Sequence, residues 1–149
     1  MKTISTIGYE DATVQTFLAA LRDAGVDLLV DVRAAARSRR PGFAKTRLSA
    51  NLEEAGIGYL HLPGLGTPAE GRAAARAGRP AEMREIFREH LSSSTAQDDL
   101  ETLTELVRSG RQVCLLCLEA EPEDCHRSLV ADAVAAKLPV RIAHLHPQE

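Results

Sequence analysis

Val113-Cys-Leu-Leu-Cys117 runs straight into Leu118-Glu119-Ala-Glu121-Pro-Glu123-Asp124-Cys125-His126-Arg127-Ser128 and then into Leu129-Val130-Ala131. A short apolar run, then a polar loop, then apolar residues at helical spacing reads as a buried strand delivering reactive groups to the start of a helix. Two thiols, four carboxylates, an imidazole and a guanidinium fall within the eleven positions from Cys117 to Arg127. That density makes this strand end the first candidate for a site.

Working outward, the same strand-then-helix unit recurs. Lys2 to Ile7 reads as a strand and Thr13 to Ala24 as a helix with Val14, Phe17, Leu18 and Leu21 on one face, stopped by Gly25. Asp27 to Val32 follows as a strand too continuously apolar to have one wet face. Lys45 to Ala55 reads as a helix stopped by Gly56, and Gly58 to Leu62 as a short strand ahead of the loop Pro63-Gly-Leu-Gly-Thr-Pro68. Three helical pieces follow, Ala69 to Ala77, Ala81 to Leu91 and Thr95 to Arg108, punctuated by Gly78-Arg-Pro80 and Ser92-Ser-Ser94. Gln112 to Leu118, Cys125 to Lys137 and Val140 to Leu145 complete the pattern as strand, helix and strand. The expected fold is one α/β domain over residues 1–149. It is a three-layer, Rossmann-like arrangement in which a mainly parallel sheet of about five strands is flanked by helices.

Composition narrows the function classes. With 149 residues, 44% hydrophobic, the chain can bury a sizeable core, and a net charge of -3 gives no global attraction to nucleic acid or anionic membrane. The N-terminus runs into a strand without a signal-peptide core, and no window reaches the length of a membrane span, so a cytoplasmic location is expected and no membrane partner. Three cysteines without secretory signals favour reduced thiols over a disulfide framework. Aromatics at 3% make a base-stacking platform a poor fit.

Open parallel sheets bind ligands beyond the carboxyl ends of their strands. Those ends carry Gly8-Tyr9-Glu10, Asp31-Val-Arg33, His61 and Cys117-Leu-Glu119, which are expected to meet around one cleft. Taken with Thr6-Ile-Gly-Tyr9, Leu29-Val-Asp-Val-Arg33, Ser38-Arg39 with Pro41-Gly-Phe43, Gly56-Ile-Gly-Tyr-Leu-His61-Leu-Pro-Gly-Leu-Gly66 and Cys125-His-Arg-Ser128, the chain resembles the domain of unknown function 488 family from Ile4 to about Val134. The resemblance implies a compact α/β domain without an assigned reaction. Two positions depart from it: family members carry a proline where Ala36 stands and a glycine where Thr67 stands. Both loops are expected to be shaped differently here.

The cysteine constellation has a reactive-thiol reading in two forms, a metal reading and a bland one. With Asp124 as helix cap, Cys125, His126 and Arg127 would occupy a first turn whose free N–H groups favour a thiolate or a bound phosphate. A nucleophilic Cys117 at a strand end is loosely similar to rhodanese-like sulfurtransferases, although the acidic loop would raise a nearby thiol's pKa. A metal reading takes Cys117, Cys125, His126 or His61 as ligands, but Cys-x7-Cys-His is not a usual closed zinc spacing, and no metal is assigned. The bland reading makes Cys117 a core residue, Glu119 a backbone cap, and His126 and Arg127 partners of the acidic loop.

From Arg33 to Arg47, six cations fall within fifteen positions: Arg33, Arg37, Arg39, Arg40, Lys45 and Arg47. Guanidinium forks there suit phosphate, with Phe43 available to meet a base; the competing account is a solvated loop neutralised by nearby acids. Arg33, at a buried strand end, is expected to reach Glu119, Glu10 or a ligand. His61 reads either as a residue placed for acid–base chemistry or as a satisfied half-buried imidazole, while His90, His144 and His146 read as surface residues. Arg72, Arg76 and Arg79 lie on a helix that reads as solvated surface rather than a lid.

The resulting expectation is a strand-end pocket for a small anion, phosphate-bearing or nucleotide-like. Tyr9, Arg33, Arg37, Arg39 and Arg127 would bind it, and Cys117, Glu119, Cys125, His126 and His61 would supply chemistry. The alternatives are a rhodanese-like cysteine-dependent transferase and a nonenzymatic nucleic-acid or metal-binding module, nucleic acid being the less favoured partner. The sequence assigns neither a cofactor nor an oligomeric state.

Overall fold

Strand and helix alternate as the apolar spacing dictates. The computed structural model describes residues 1–122 and 125–147. In chain order its elements are β1 (Lys2–Gly8), α1 (Val14–Asp23), β2 (Leu28–Asp31), α2 (Lys45–Glu54), β3 (Gly58–His61), a short 3-10 turn (Pro63–Leu65), α3 (Ala69–Arg76), α4 (Pro80–Leu91), α5 (Ser94–Arg108), β4 (Val113–Cys117), α6 (Arg127–Ala135) and β5 (Val140–Leu145). The expected loop from Pro63 thus contains one turn of helix. The helix expected from Cys125 begins instead at Arg127.

All five strands are parallel, in the order β3-β2-β4-β1-β5. The period-2 alternation of each strand feeds two cores. Val113 and Leu115 of β4 join Phe87 of α4, Leu100, Leu103 and Val107 of α5, and Val130 and Val134 of α6. Cys114 and Leu116 join Phe17 and Leu21 of α1 with Leu48 and Leu52 of α2. This is the physical reason β4 is apolar at every position: all five of its residues are buried. Each fully buried Leu, Val or Phe contributes roughly 1.5–3 kcal/mol, so the two faces together supply the main drive for the three-layer arrangement.

Local signals set the helix entries. Thr13 accepts from the Thr16 N–H while the Thr16 hydroxyl accepts from the Thr13 N–H, a reciprocal cap on α1, and Ser93 accepts from the Ala96 N–H at the start of α5. The layering also decides where a ligand fits. The chain leaves β1 and β2 toward the face covered by α1 and α2, whereas it leaves β4, which lies between them in the sheet, toward the α6 face. The loops therefore diverge above β4 and open a crevice at its carboxyl end. Among the described residues no helix is long and apolar enough to cross a membrane.

Candidate functional site

Parallel register brings the strand ends level, with Gly8 opposite Cys117, and Asp31 opposite both Leu116 and His61. Above them lies a cavity of about 270 Å³. Tyr9, Arg33, Arg37, Cys117, Glu119, Cys125 and His126 all line it, so seven of the expected site residues converge despite their separation along the chain.

The loop after β2 is built around Arg33. Its Nε and Nη2 donate to the two carboxylate oxygens of Asp31, at 2.9 and 2.7 Å. Its Nη1 donates to the Tyr9 hydroxyl, to the Phe43 carbonyl at 2.8 Å and to the Arg37 carbonyl at 3.3 Å. Asp31 is fully buried and also accepts from the Tyr59 hydroxyl at 2.6 Å. Burial opposes the positive charge on Arg33, but the Asp31 hydrogen bonds and charge outweigh it and raise the guanidinium's pKa. Burial, and then the Asp31 contact, push the Tyr59 phenol up as well. The partner of Arg33 is therefore Asp31, two residues away, rather than Glu119 or Glu10. Phe43, expected to be free to meet a base, is buried, stacked on Tyr9 with ring centroids 4.7 Å apart.

Arg127 organises the loop after β4. Fully buried, it donates from Nε to Thr6 Oγ1, from Nη1 to the Glu119 carbonyl at 2.5 Å and from Nη2 to the Ala120 carbonyl at 3.2 Å. Gly8 is the residue that lets this loop approach, because a Cβ there would overlap the Glu119 carbonyl and meet Arg127. Gly66 does the same on the opposite wall, where a Cβ would overlap the Ala34 backbone.

The floor holds the sulfurs. Cys117 and Cys125 are joined in a disulfide, which corrects the expectation of reduced thiols, and Cys114 remains a free, buried thiol whose pKa burial pushes up. His126 Nδ1 lies 3.6 Å from Cys117 Sγ and 3.7 Å from Cys125 Sγ, and Glu119 Oε2 lies 3.2 Å from Cys117 Sγ. The other ring nitrogen, Nε2, donates to the Val32 carbonyl at 2.7 Å. Burial lowers the His126 pKa to about 4, with the Val32 hydrogen bond acting in the opposite direction. The ring is thus neutral near pH 7, with a lone pair on Nδ1 facing the sulfurs. The expected Asp124 cap lies outside the described residues; His126 is the N-cap of α6 and makes no side-chain cap bond. Cys125 consequently precedes the helix rather than sitting in its first turn.

Three expected site residues do not line the cavity. His61 donates from Nε2 to the Arg33 carbonyl at 2.7 Å and buttresses the wall from behind, Arg39 is exposed elsewhere on the loop, and Arg127 is spent on the backbone. Arg40, from the same basic run, donates to the Ala12 carbonyl. Two histidines expected at the surface also have partners: His90 donates to the Gly64 carbonyl, and His144 bonds to Thr6.

Residues outside the expected site set complete the lining. Thr67, Arg72, Ala75, Arg76 and Met83 also line the cavity. Arg72 donates to the Thr67 carbonyl at 2.9 Å. The available signal was Arg72 and Arg76 four apart on α3, which puts both on one helix face. That face is part of the cavity wall, correcting its reading as plain solvated surface.

The class this geometry defines is a doubly covered parallel α/β protein with its pocket at the carboxyl edge of the central strands. The chain belongs to the DUF488 family: the family model described as Domain of unknown function DUF488 matches residues 13–134. Comparison with curated proteins and with solved structures gives no match.

Proposed function

We propose that this pocket binds a small organic anion bearing a phosphate or similar group, and that the chain is an enzyme or ligand-binding domain acting on such a molecule. The observation that carries the reading is the charge of the lining. Arg37, Arg72 and Arg76 reach the cavity without an ion pair to any described carboxylate, and Glu119 is the one acid among the described lining residues. Exposed guanidinium groups of this kind suit bidentate contact with phosphate oxygens. Ala34, Ala35, Ala75, Met83 and Leu118 supply an apolar wall for the organic part of the ligand. Burial of Phe43 removes the stacking surface a nucleic-acid platform would use, so a small molecule fits better than a strand.

Calorimetric titration with inorganic phosphate, pyrophosphate, nucleoside monophosphates and a labelled oligonucleotide, at low and moderate salt, tests this. A small anion is expected to bind one per chain and to weaken modestly with salt. Oligonucleotide binding that falls about a thousandfold between 50 and 200 mM salt would indicate the backbone-binding module instead.

One observation favours a second reading, cysteine-dependent transfer: Cys117 Sγ is at the pocket floor 3.6 Å from His126 Nδ1, whose lone pair can accept a hydrogen bond from the thiol once the disulfide is reduced. That reading requires reduced Cys117 to alkylate below the ordinary thiol pKa of about 8.5. Alkylation only above that value, followed residue by residue by mass spectrometry, excludes it.

A further inference from the structure

The floor of the pocket is better built for an ion than its sequence spacing suggests. Cys117 Sγ, Cys125 Sγ and His126 Nδ1 lie within 4.8 Å of one another, and all three residues are buried while facing the cavity. Tetrahedral zinc with Zn–S of about 2.3 Å and Zn–N of about 2.0 Å holds sulfur and nitrogen ligands about 3.6 Å apart. The two S···Nδ1 separations, 3.6 and 3.7 Å, already match. The Cα atoms of the two cysteines stand 7.0 Å apart, just beyond the usual span of a disulfide of roughly 4.4–6.8 Å, a spacing that also suits two thiolates around one ion.

The surroundings add a second, independent argument. A metal-ligating imidazole characteristically donates its other nitrogen to a carbonyl or carboxylate, which fixes the tautomer and aims the lone pair. His126 Nε2 does this to the Val32 carbonyl, and the Phe87 ring packs against the imidazole at 5.1 Å between centroids. Two thiolates, a neutral imidazole and a divalent cation form an electrically neutral cluster, the arrangement that burial tolerates best. The long Cys-x7-Cys separation is bridged by the fold: Cys117 ends a central strand, and the loop held by Arg127 returns Cys125 and His126 over it.

We propose that the reduced form of this cluster is a site for a thiophilic divalent cation of the zinc class, with Cys117, Cys125 and His126 as ligands and the fourth position open to the pocket. Reduction of the disulfide by an external dithiol transfers two electrons and two protons to the pair and leaves the reductant as its own disulfide. Binding of the cation then releases the two thiol protons. Three protein ligands and one open position are the pattern of catalytic rather than structural zinc. The proposal is independent of the anion reading: phosphate titration of the metal-free protein and metal titration without phosphate can each succeed or fail alone.

The test is cobalt(II) titration of the full chain, reduced with a dithiol, freed of metal by a chelator and exchanged into anaerobic buffer. One cobalt per chain is expected, with a thiolate-to-cobalt charge-transfer band, tetrahedral ligand-field bands and displacement by zinc; the oxidised chain should bind none. Cys125→Ser and His126→Ala should lose the 1:1 complex, and Cys114→Ala should keep it. Reduced wild-type protein that binds well under one equivalent, shows no charge-transfer band, or binds equally when oxidised overturns the proposal. So does an undiminished band in folded Cys125→Ser. Because the redox comparison uses wild-type protein alone, misfolding of a variant does not spare the proposal.

Discussion

Two loops face each other across the pocket, residues 34–43 after β2 and, after β4, a loop described at residues 118–122 and 125–126, and each is held by one buried arginine. Arg33 gathers the first through the carbonyls of Arg37 and Phe43 while its charge is met by Asp31. Arg127 gathers the second through the carbonyls of Glu119 and Ala120 and is braced by Thr6. An irregular loop leaves carbonyls without ladder partners, and a guanidinium with five N–H donors can satisfy several at once. The comparison teaches that the buried cations build the walls, whereas Arg37, Arg72 and Arg76 stand exposed at the cavity without an ion pair to a described carboxylate.

The largest expected effect breaks the first wall. Arg33→Ala leaves Asp31 buried and unpaired and should cost about 3–5 kcal/mol of stability by urea denaturation. Replacing both members of the pair, Arg33→Met with Asp31→Leu, should recover part of that loss. A double variant as unstable as the sum of its singles would show that the pair is not coupled.

The second wall carries a pH signature. The His126 pKa is about 4 in the folded chain and ordinarily 6.5, so the unfolded chain takes up its proton first as pH falls. Stability from this group is fully present above 6.5 and declines by about 3 kcal/mol as pH drops toward 4 in metal-free protein. His126→Gln should flatten that part of the urea-midpoint profile. An unchanged profile would place the acid sensitivity elsewhere.

Smaller effects should follow from the two close approaches. Gly8→Ala must displace the Glu119 carbonyl and Gly66→Ala the Ala34 backbone, each at about 1–3 kcal/mol. Equal losses would mean that both loops are equally fixed; a cheap Gly66→Ala would identify the β2 wall as the adjustable one. Smallest of all, Arg37→Ala and Arg76→Ala should leave stability within about 0.5 kcal/mol of wild type, because neither holds the fold together.

The fold was legible because its signals are local and redundant. Leu28-Leu-Val30 and Val113-Cys-Leu-Leu-Cys117 are continuous because both sheet faces are covered, and this same continuity marks them as buried strands. The strand-end cluster was legible for the same reason, since parallel strands put their carboxyl ends on one edge. The roles of its cations were not. Arg33, Arg37, Arg39, Arg40 and Arg127 look alike as letters, and only the positions of carbonyls from distant segments separate wall builders from the rim. Arg72 and Arg76 read as solvated surface in preference to a lid because helix surface and cavity wall have the same spacing, and packing of α3 through Gly71 and Ala74 decides between them. His126 illustrates the remaining gap: its partners are Val32, far back in the chain, and two sulfurs brought together by a loop whose length carries no motif.

The central claim, that the exposed arginines receive a small anion, is tested most directly by calorimetric titration of inorganic phosphate and a nucleoside monophosphate into wild-type protein and into the Arg37→Ala, Arg76→Ala double variant. The account predicts saturable one-to-one binding that weakens about tenfold or more in the variant, the scale of a charged hydrogen bond of roughly 1.5–3 kcal/mol, with an unchanged urea midpoint. Absence of saturable binding to wild type, or equal binding to a folded variant, would contradict it.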